Sequence, residues 1–563
     1  MTSSGSIAVS PDAADFSSVP KTRMVWGAAM VLCWFLEAVS MRHSLDPDGI
    51  SYLDIAYSVL QGHWHSLLNA YWSPGDPLLL TAWLKLFKPR PIHEILTVRL
   101  LGWLTLVLAL AIFDYFLRCF FRLRRSPIAM RGMENAALPT KEFYLLAYSL
   151  FFWVTTFQIP AYLDHPDILV AAAYLLASAM AMDFISAKRG YGRYVLFGIV
   201  LGIGYIIKVV LFPIGIVFLV ALACYRNQRN PRLLVSLLTF ALVSAPLAIG
   251  LSLTRGRFTL GDSGPIARIQ AVGLYDFGNL RPGKPVPAAP HIQAYVGSAW
   301  HGTYPAWTDP STPFTGKVPR IGIERQIHLT HIVLRFYFDL MTVSLGSLTC
   351  AFLILLCMER NLREYLRRLL PYAILWLVAL AGFGGYALLR TEGRLIAPFV
   401  IGLFIGLFGA LGAVDITYDP KVSIIVIRAA AILLIAQSVV QVGHIASGLS
   451  SPSFPDWQVA STLPTFGVQP GDKISFMGDT LIDHGWAHLA RVQIASEIPL
   501  KDVQTFWAAT DIQKQQAFDE LAGSGAKALI TRDVPETATP GEWAAIGRTG
   551  YYIHEFGESS KVP

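Results

Sequence analysis

The chain has 563 residues, 54% of them hydrophobic and only 15% charged, with a formal net charge of +7 and a mean hydropathy of +0.48. Soluble domains carry about a quarter charged residues, so this composition excludes an ordinary soluble enzyme. The basic residues gather at the ends of apolar runs and not along one amphipathic face, which excludes nucleic acid as a partner and leaves the lipid bilayer as the solvent.

Several apolar stretches reach the roughly 20 residues that a helix needs to cross about 30 Å of hydrocarbon, and most are flanked by Arg or Lys. The five cysteines, Cys33, Cys119, Cys224, Cys350 and Cys357, lie in or beside such stretches, so no disulfide framework is expected. Residues 1–23 are rich in Ser, Ala, Pro and Asp and read as a disordered cytoplasmic tail. The transmembrane domain is predicted over 24–445, all-α and of about eleven crossings, and a small α/β extramembrane domain over 446–563.

In chain order, the first span runs from Met24 to Met41, with Lys21 and Arg23 before it favouring a cytoplasmic N-terminus. A first external loop follows over 42–95, in which Ile50 to Leu60 and Pro77 to Phe87 look helical but too short to cross. Span two, Leu96 to Phe120, ends in the basic cluster Arg118, Arg122, Arg124, Arg125 and Arg131. Span three, Phe143 to Ile159, reaches a turn containing Asp164 and Asp167, and span four, Ile168 to Ile185, returns to Lys188, Arg189 and Arg193.

The apolar run Tyr194 to Tyr225 is too long for one crossing and short for two. A single helix would put Lys188, Arg189 and Arg193 opposite Arg226, Arg229 and Arg232, whereas a hairpin bending near Lys208 keeps all six inside. The hairpin is therefore expected, with Pro213 helping to break the helix. Span seven is Leu233 to Leu253, followed by a large external loop over 254–330. Spans eight to eleven are His331 to Cys357, Leu370 to Leu389, Leu395 to Val414 and Ile424 to Val442. The parity places the tail outside, with strands at Lys473 to Met477 and Ala526 to Thr531 and a helix at Asp511 to Leu521.

This topology gathers the informative polar residues on the side opposite the Arg-rich loops: Asp46, Asp48, Tyr52, Asp164, Asp167, Lys208, Arg390 and Arg394. Ionisable groups at membrane depth are costly and mark functional sites. A carboxylate there suits a general base toward an acceptor hydroxyl, and Lys or Arg beside it suits a departing phosphate. Each also has a structural reading. Asp46 or Asp48 precedes a helix and is placed to cap it, Asp164 and Asp167 likewise precede span four, Lys208 could snorkel, and Arg390 and Arg394 could meet lipid head groups or Glu392. The glycines Gly202, Gly204, Gly382, Gly384 and Gly385 sit inside apolar spans and read as helix-packing positions. His43, His63 and His65 lack the spacing of a zinc site, and no metal or other cofactor is expected.

The segment Ser44-Leu-Asp-Pro-Asp-Gly-Ile-Ser-Tyr-Leu-Asp-Ile-Ala56, then Gly62 and Ser73-Pro-Gly-Asp-Pro-Leu-Leu-Leu80, resembles the first external loop of GT-C membrane glycosyltransferases. The likeness is to the family 39 and family 83 types, which include protein O-mannosyltransferases and the aminoarabinose transferase of lipid A. Pro166-Asp167, Lys208 with Pro213 five positions later, and Glu392-Gly-Arg394-Leu-Ile-Ala-Pro398 extend the resemblance across Met24 to Leu411. It departs from the family at Asp48-Gly49, where many members have Asp-Glu, and at Gly75-Asp76-Pro77-Leu78 in place of Pro-Pro-Leu.

The resemblance implies a GT-C helical bundle and an inverting transferase that moves a sugar from a polyprenyl phosphate carrier to a protein, lipid or polysaccharide acceptor at the outer face of the inner membrane. Asp48 or Asp46 would be the base, with Asp167 supporting it. Lys208, Arg394 and Arg390 would hold the donor phosphate, and Tyr52, Asp164 and Glu392 would line the substrate. Two readings from other classes stand beside it: a transporter or flippase of a lipid-linked or small anionic substrate, and a non-catalytic assembly subunit whose tail binds a partner.

Overall fold

A computed structural model describes residues 19–130, 138–162, 166–225, 231–273, 284–286, 289–294, 302–312, 314–359, 361–411, 420–448, 454–532, 534–535 and 542–556. Most of the expected N-terminal tail and Asp164 lie outside the described residues. The helices that matter below are α1 (Val19–Ser40), α2 (Pro47–Leu60), α3 (Gly75–Phe87), α4 (Pro91–Arg124), α5 (Thr140–Phe157), α6 (Asp167–Ser186), α7 (Tyr191–Ile207), α8 (Leu211–Cys224), α9 (Arg232–Arg255), α10 (Ile323–Asp339), α11 (Gly346–Cys357), α12 (Ala373–Ala387), α13 (Gly393–Gly409) and α14 (Pro420–Ser447).

Within the described residues, each predicted apolar segment is helical apart from the turn at Lys208, and the end of the predicted tenth span, 412–414, lies outside the described residues. Among the described residues, six helical runs are long and apolar enough to cross a bilayer: α1, α4, α6, α9, the run Leu362–Ala387 that contains α12, and α14. The predicted eighth span is not one straight helix. α10 and α11 meet at a bend of 82° and would together make a seventh. A π-turn at Leu340–Ser344 and then Gly346 open the helix there, and the Thr349 hydroxyl donates to the Met341 carbonyl at 2.7 Å, satisfying an acceptor that the break leaves over.

Lipid tails are as apolar as leucine, so the bundle is held by close packing more than by exclusion of water. Small residues provide the approach. A Cβ on Gly202 would come within 2.6 Å of Val243, one on Gly382 within 2.6 Å of Phe399, and one on Gly204 within 3.2 Å of Leu211. These three are packing positions, whereas Gly384 and Gly385 face open space. Aromatic stacks fill the rest, with Phe113 on Phe151 at 4.3 Å and Phe120 on Phe143 at 4.8 Å.

The long apolar run does fold back at Lys208. That residue is extended, with φ −158° and ψ 130°, and ends α7. Gly204 faces Leu211 and Gly215 faces Leu201 across the pair, so α7 and α8 run antiparallel. Pro213 plays a different part from the one expected. It lies in the first turn of α8, where its missing N–H costs nothing, so it starts the returning helix and does not break the outgoing one.

The first external loop is built onto this turn. Val209 N donates to Ser73 Oγ at 3.2 Å, and a Cβ on Gly75 would lie 2.7 Å from Ile207 Cα and 2.9 Å from the Ile206 carbonyl oxygen. Only glycine lets the α3 N-terminus lie this close to backbone. Gly75→Val is therefore expected to lower the stability of the detergent-solubilised protein by about 1–3 kcal/mol, as overpacking does. Gly192→Val, at a position with nothing within 4 Å, should leave the melting temperature near wild type.

Among the described residues, five strands of the tail and two from earlier in the chain form one sheet in the order β1-β2-β4-β3-β5-β7-β6. Its centre is β3 (Lys473–Gly478), parallel to β4 (Gln493–Pro499) and β5 (Ala528–Thr531). β6 (Ala544–Ala545) and β7 (Tyr552–Glu555) close one edge. The other edge comes from elsewhere in the chain: β1 (Lys284–Val286) and β2 (Ala289–Ala294) belong to the large loop, and β2 pairs with β4 antiparallel. The tail alone had been expected to make this unit. Its core is also continuous with the first loop, since Tyr52, Leu53, Trp72 and Trp307 pack in one cluster with Ile474, Phe476, Trp486 and Ile494.

Candidate active site

The site begins at the N-terminus of α2. Asp46 caps that helix, its Oδ1 accepting from Asp48 N at 2.8 Å, and Pro47 at the first helical position needs no donor partner. The two acids thereby divide: Asp46 serves the backbone, and the Asp48 side chain meets Arg394. Its Oδ2 lies 2.9 Å from Arg394 Nη2, and its Oδ1 accepts from Trp307 Nε1 at 3.3 Å.

Arg394 sits in the first turn of α13, two positions after the extended cap residue Glu392. Its Nε donates to Glu392 Oε2 at 2.8 Å, and its Nη1 lies 3.7 Å from Asp167 Oδ2. Asp167, in the first turn of α6 and 2% exposed, takes Lys208 Nζ at 2.5 Å on its other oxygen. Lys208 is free of helical geometry because the hairpin turns there, which lets its stem reach across to α6. Asp48, Asp167, Lys208, Arg394 and Glu392 thus form one connected ion-pair network, although they come from four well-separated parts of the sequence.

Arg390 stands at the rim. Its side chain is 57% exposed and reaches Glu392 at 3.3 Å. Tyr52 lies one turn beyond Asp48 on the same face of α2 and is buried. Burial, and then the charges of Asp76, Asp167 and Asp48, hold its phenol far above the ordinary range, so it keeps its proton and is a donor at any physiological pH. Asp46 is present as the cap, and Asp164 lies outside the described residues.

Sequence reasoning missed three contributors. Asp76 occupies the first turn of α3 and is buried close enough to act on Tyr52. Trp307 comes from the large loop and its carbonyl also accepts from Trp72 Nε1 at 2.9 Å. Glu94 is fully buried against the tail. Asp76 was readable, since it stands inside the recognised Ser73 to Leu80 segment. Nothing in the local pattern of Trp307 or Glu94 distinguishes them from the other aromatic and acidic residues of the loops.

In fold, the chain is similar to a solved structure over nearly its whole length. The crystal structure of ArnT from Cupriavidus metallidurans in the apo state matches it with a TM-score of 0.57 at 13% identity, covering 97% of this chain and 100% of that one. The same protein bound to undecaprenyl phosphate matches at 0.44 and 14% identity, over 96% and 99% of the two chains. The oligosaccharyltransferase of Archaeoglobus fulgidus, in complex with Zn and sulfate, matches at 0.44 and 15% identity over 89% and 67%. At 13% identity, the likeness to the apo structure is one of fold. No protein-family model matches the chain, and no curated protein does.

Proposed function

We propose that this protein is an inverting glycosyltransferase that moves a sugar from a polyprenyl phosphate carrier to an acceptor hydroxyl at the outer face of the membrane. The observation that carries the reading is the network in which one carboxylate, Asp48, shares Arg394 with a second carboxylate, Asp167, that also holds Lys208. On this reading the segments cross eleven times, the arms of the α7–α8 hairpin included, and the network and the tail lie on the outer face.

The donor phosphate brings negative charge to Lys208 and Arg394 and competes with the carboxylates for them. Arg394 turns toward the phosphate, and the Asp48 carboxylate turns to the acceptor hydroxyl. The acceptor oxygen then attacks the anomeric carbon, its proton passes to Asp48, and the bond from that carbon to the phosphate oxygen breaks. Polyprenyl phosphate departs with its charge neutralised by Lys208 and Arg394, a task the reading assigns to these side chains and not to a metal. Attack opposite the leaving group inverts the anomeric centre. Tyr52 and Glu392 line the substrate, and Arg390 meets the outer part of the lipid phosphate.

The test is a proteoliposome assay with a polyprenyl-phosphate-linked radiolabelled sugar and a cell-envelope extract as acceptor. Label in a new glycosidic bond, together with free polyprenyl phosphate, is the expected result. Label that crosses the bilayer without a new bond would instead establish transport.

A further inference from the structure

His488 belongs to the tail helix Gly485–Ala490 and is buried, 1% exposed. Each of its ring nitrogens meets a carboxylate from a distant part of the chain: Nδ1 lies 3.1 Å from Asp54 Oδ1 on α2, and Nε2 lies 3.0 Å from Glu94 Oε1 on α4. An imidazole can donate to both only as the imidazolium. Asp54 further accepts from Thr303 N at 2.6 Å and from Thr303 Oγ1 at 2.9 Å. Glu94 is also paired with Arg491, whose Nη2 donates to the Tyr57 hydroxyl at 3.1 Å and whose Nη1 lies 3.2 Å from His488 Nε2.

These contacts grip α2 from behind. Asp48 and Tyr52 are one turn apart and share the face toward the site, whereas Asp54 and Tyr57, six and nine positions beyond Asp48, face the tail. A second connection runs through the large loop. Thr303, bonded to Asp54, also accepts on its carbonyl from Ile494 N of β4 at 2.9 Å. Four residues on, the Trp307 carbonyl accepts from Ser51 Oγ at 3.1 Å and the Trp307 indole donates to Asp48. Helix α2 and the Thr303–Thr308 strap therefore both lead from His488 to Asp48.

We propose that His488 is a positioning residue for Asp48: in its protonated form it latches α2 and the strap to the tail, holding the Asp48 carboxylate and the Trp307 indole in register with Arg394. When His488 loses its proton, the ring donates to only one of its two carboxylates, Arg491 Nη1 meets the lone pair where it lies on Nε2, and the latch slackens. The catalytic meaning of this rests on the transferase reading; the mechanical coupling does not.

The charges around the imidazole agree. Asp54, Glu94 and Arg491 leave one uncompensated negative charge, which the imidazolium neutralises. Burial pulls the His488 pKa down, but the charge of Glu94 and the bonds to Asp54 and Glu94 outweigh it and hold the pKa above its ordinary value, against the opposing charge of Arg491. His484, the other imidazole of this region, is pushed by burial to about 4 and stays neutral, and the Tyr57 phenol keeps its proton. The latch is therefore complete below the ordinary histidine pKa near 6.5 and is lost as pH rises through the higher folded value. Protons have a way in, since His488 borders a cavity of about 510 Å³ lined by Asp54, Tyr57, Gln61, Thr303 and Arg491 among others.

The experiment labels the full-length protein in nanodiscs with 5-fluorotryptophan and follows the Trp307 fluorine resonance, assigned by its disappearance in Trp307→Phe. In the wild type the resonance should titrate with its midpoint above the ordinary histidine value near 6.5, and in His488→Gln it should be flat. Asp54→Asn, which keeps a hydrogen-bond acceptor but removes one charge, should move the midpoint to lower pH, and it tests the proposal should His488→Gln not fold. A wild-type resonance that ignores pH, a titration that persists in His488→Gln, or a midpoint unmoved in Asp54→Asn overturns the proposal. In the transfer assay, His488→Gln should lower kcat roughly tenfold or more with the donor KM unchanged, as a small displacement of a catalytic group does. A fluorine titration without any transfer activity would sink the transferase reading and leave the latch standing.

Discussion

Asp48→Asn is expected to bind the lipid-linked donor at least as well as the wild type and to transfer almost nothing. The amide is the same size as the carboxylate and keeps one acceptor oxygen, for either Trp307 Nε1 or Arg394 Nη2, which the carboxylate serves with separate oxygens, but it cannot take the acceptor's proton. General base catalysis contributes about 10²–10⁴-fold to a rate, so kcat should fall by that factor. Removing the anion that competes for Arg394 should leave the donor KM unchanged or lower. Asp46→Asn is the internal control. Asn is as good an N-cap as Asp, so if Asp46 only accepts from Asp48 N, the variant keeps both its stability and its activity. Asp46→Ala should cost about 1 kcal/mol of stability, read as a lower melting temperature, with kcat reduced far less than in Asp48→Asn. The reverse order, with Asp46→Asn inactive and Asp48→Asn active, would exchange the two roles.

Arg394→Ala should be the most damaging single change at the site, in binding and in folding together. Arg394 is the common partner of Asp48, Asp167 and Glu392, so its loss leaves Asp48 and the nearly buried Asp167 with less compensation. Breaking a buried ion pair from one side costs about 3–5 kcal/mol, and because Lys208 still serves Asp167 the lower end of that range is expected. Donor binding should weaken as well, since each charge-assisted bond to a phosphate is worth about 1.5–3 kcal/mol, or one to two orders of magnitude in affinity. Lys208→Ala should weaken donor binding by a similar factor. The two losses should not add in Arg394→Ala/Lys208→Ala, because both cations serve Asp167 and one phosphate. Additive losses would place the two cations in separate sites. Titration of each variant with polyprenyl phosphate, alongside its thermal melt, separates the binding and folding effects.

Much of this was legible because it depends on local rules. Helix, span end and turn follow from hydropathy, Arg placement and length, and the charge argument located the Lys208 turn that the structure has. The side chains at Asp48, Asp167, Lys208 and Arg394 were legible for a related reason: an ionisable group at the end of an apolar helix is expensive, so it is conspicuous. Partners that are long-range and ordinary in their local setting were not legible. By sequence, Asp54 looks like one acid of a short helix, Glu94 like an acid just before a span, and His488 like a polar residue of the tail. Only the folding of the tail onto α2 brings His488 to Asp54, 434 residues away in sequence. The recruitment of β1 and β2 into the tail sheet was invisible for the same reason, since Lys284 to Ala294 has too few residues and too much Pro and Ala to announce a strand. The bend in the eighth span escaped because no proline marks it; a π-turn followed by Gly346 opens the helix, and the Thr349 hydroxyl satisfies a carbonyl that the break leaves over.

The division of Asp46 from Asp48 shows what geometry adds to pattern. Both acids precede the same helix and either suits a base or a cap by sequence, and one hydrogen bond to Asp48 N assigns the cap. The tail gains a task in the same way. It shares a core with the first external loop and grips α2 through a buried charge cluster, so it is part of the site's support and not an appendage.

The measurement that bears most directly on the central claim is the structure of the protein with polyprenyl phosphate bound in nanodiscs. The account predicts phosphate density within hydrogen-bond reach of both Lys208 and Arg394, with Arg394 turned away from Asp48 and the Asp48 carboxylate facing an open space. Phosphate density at another place, or at the opposite face of the bilayer with the Asp48–Arg394 pair intact, would contradict it.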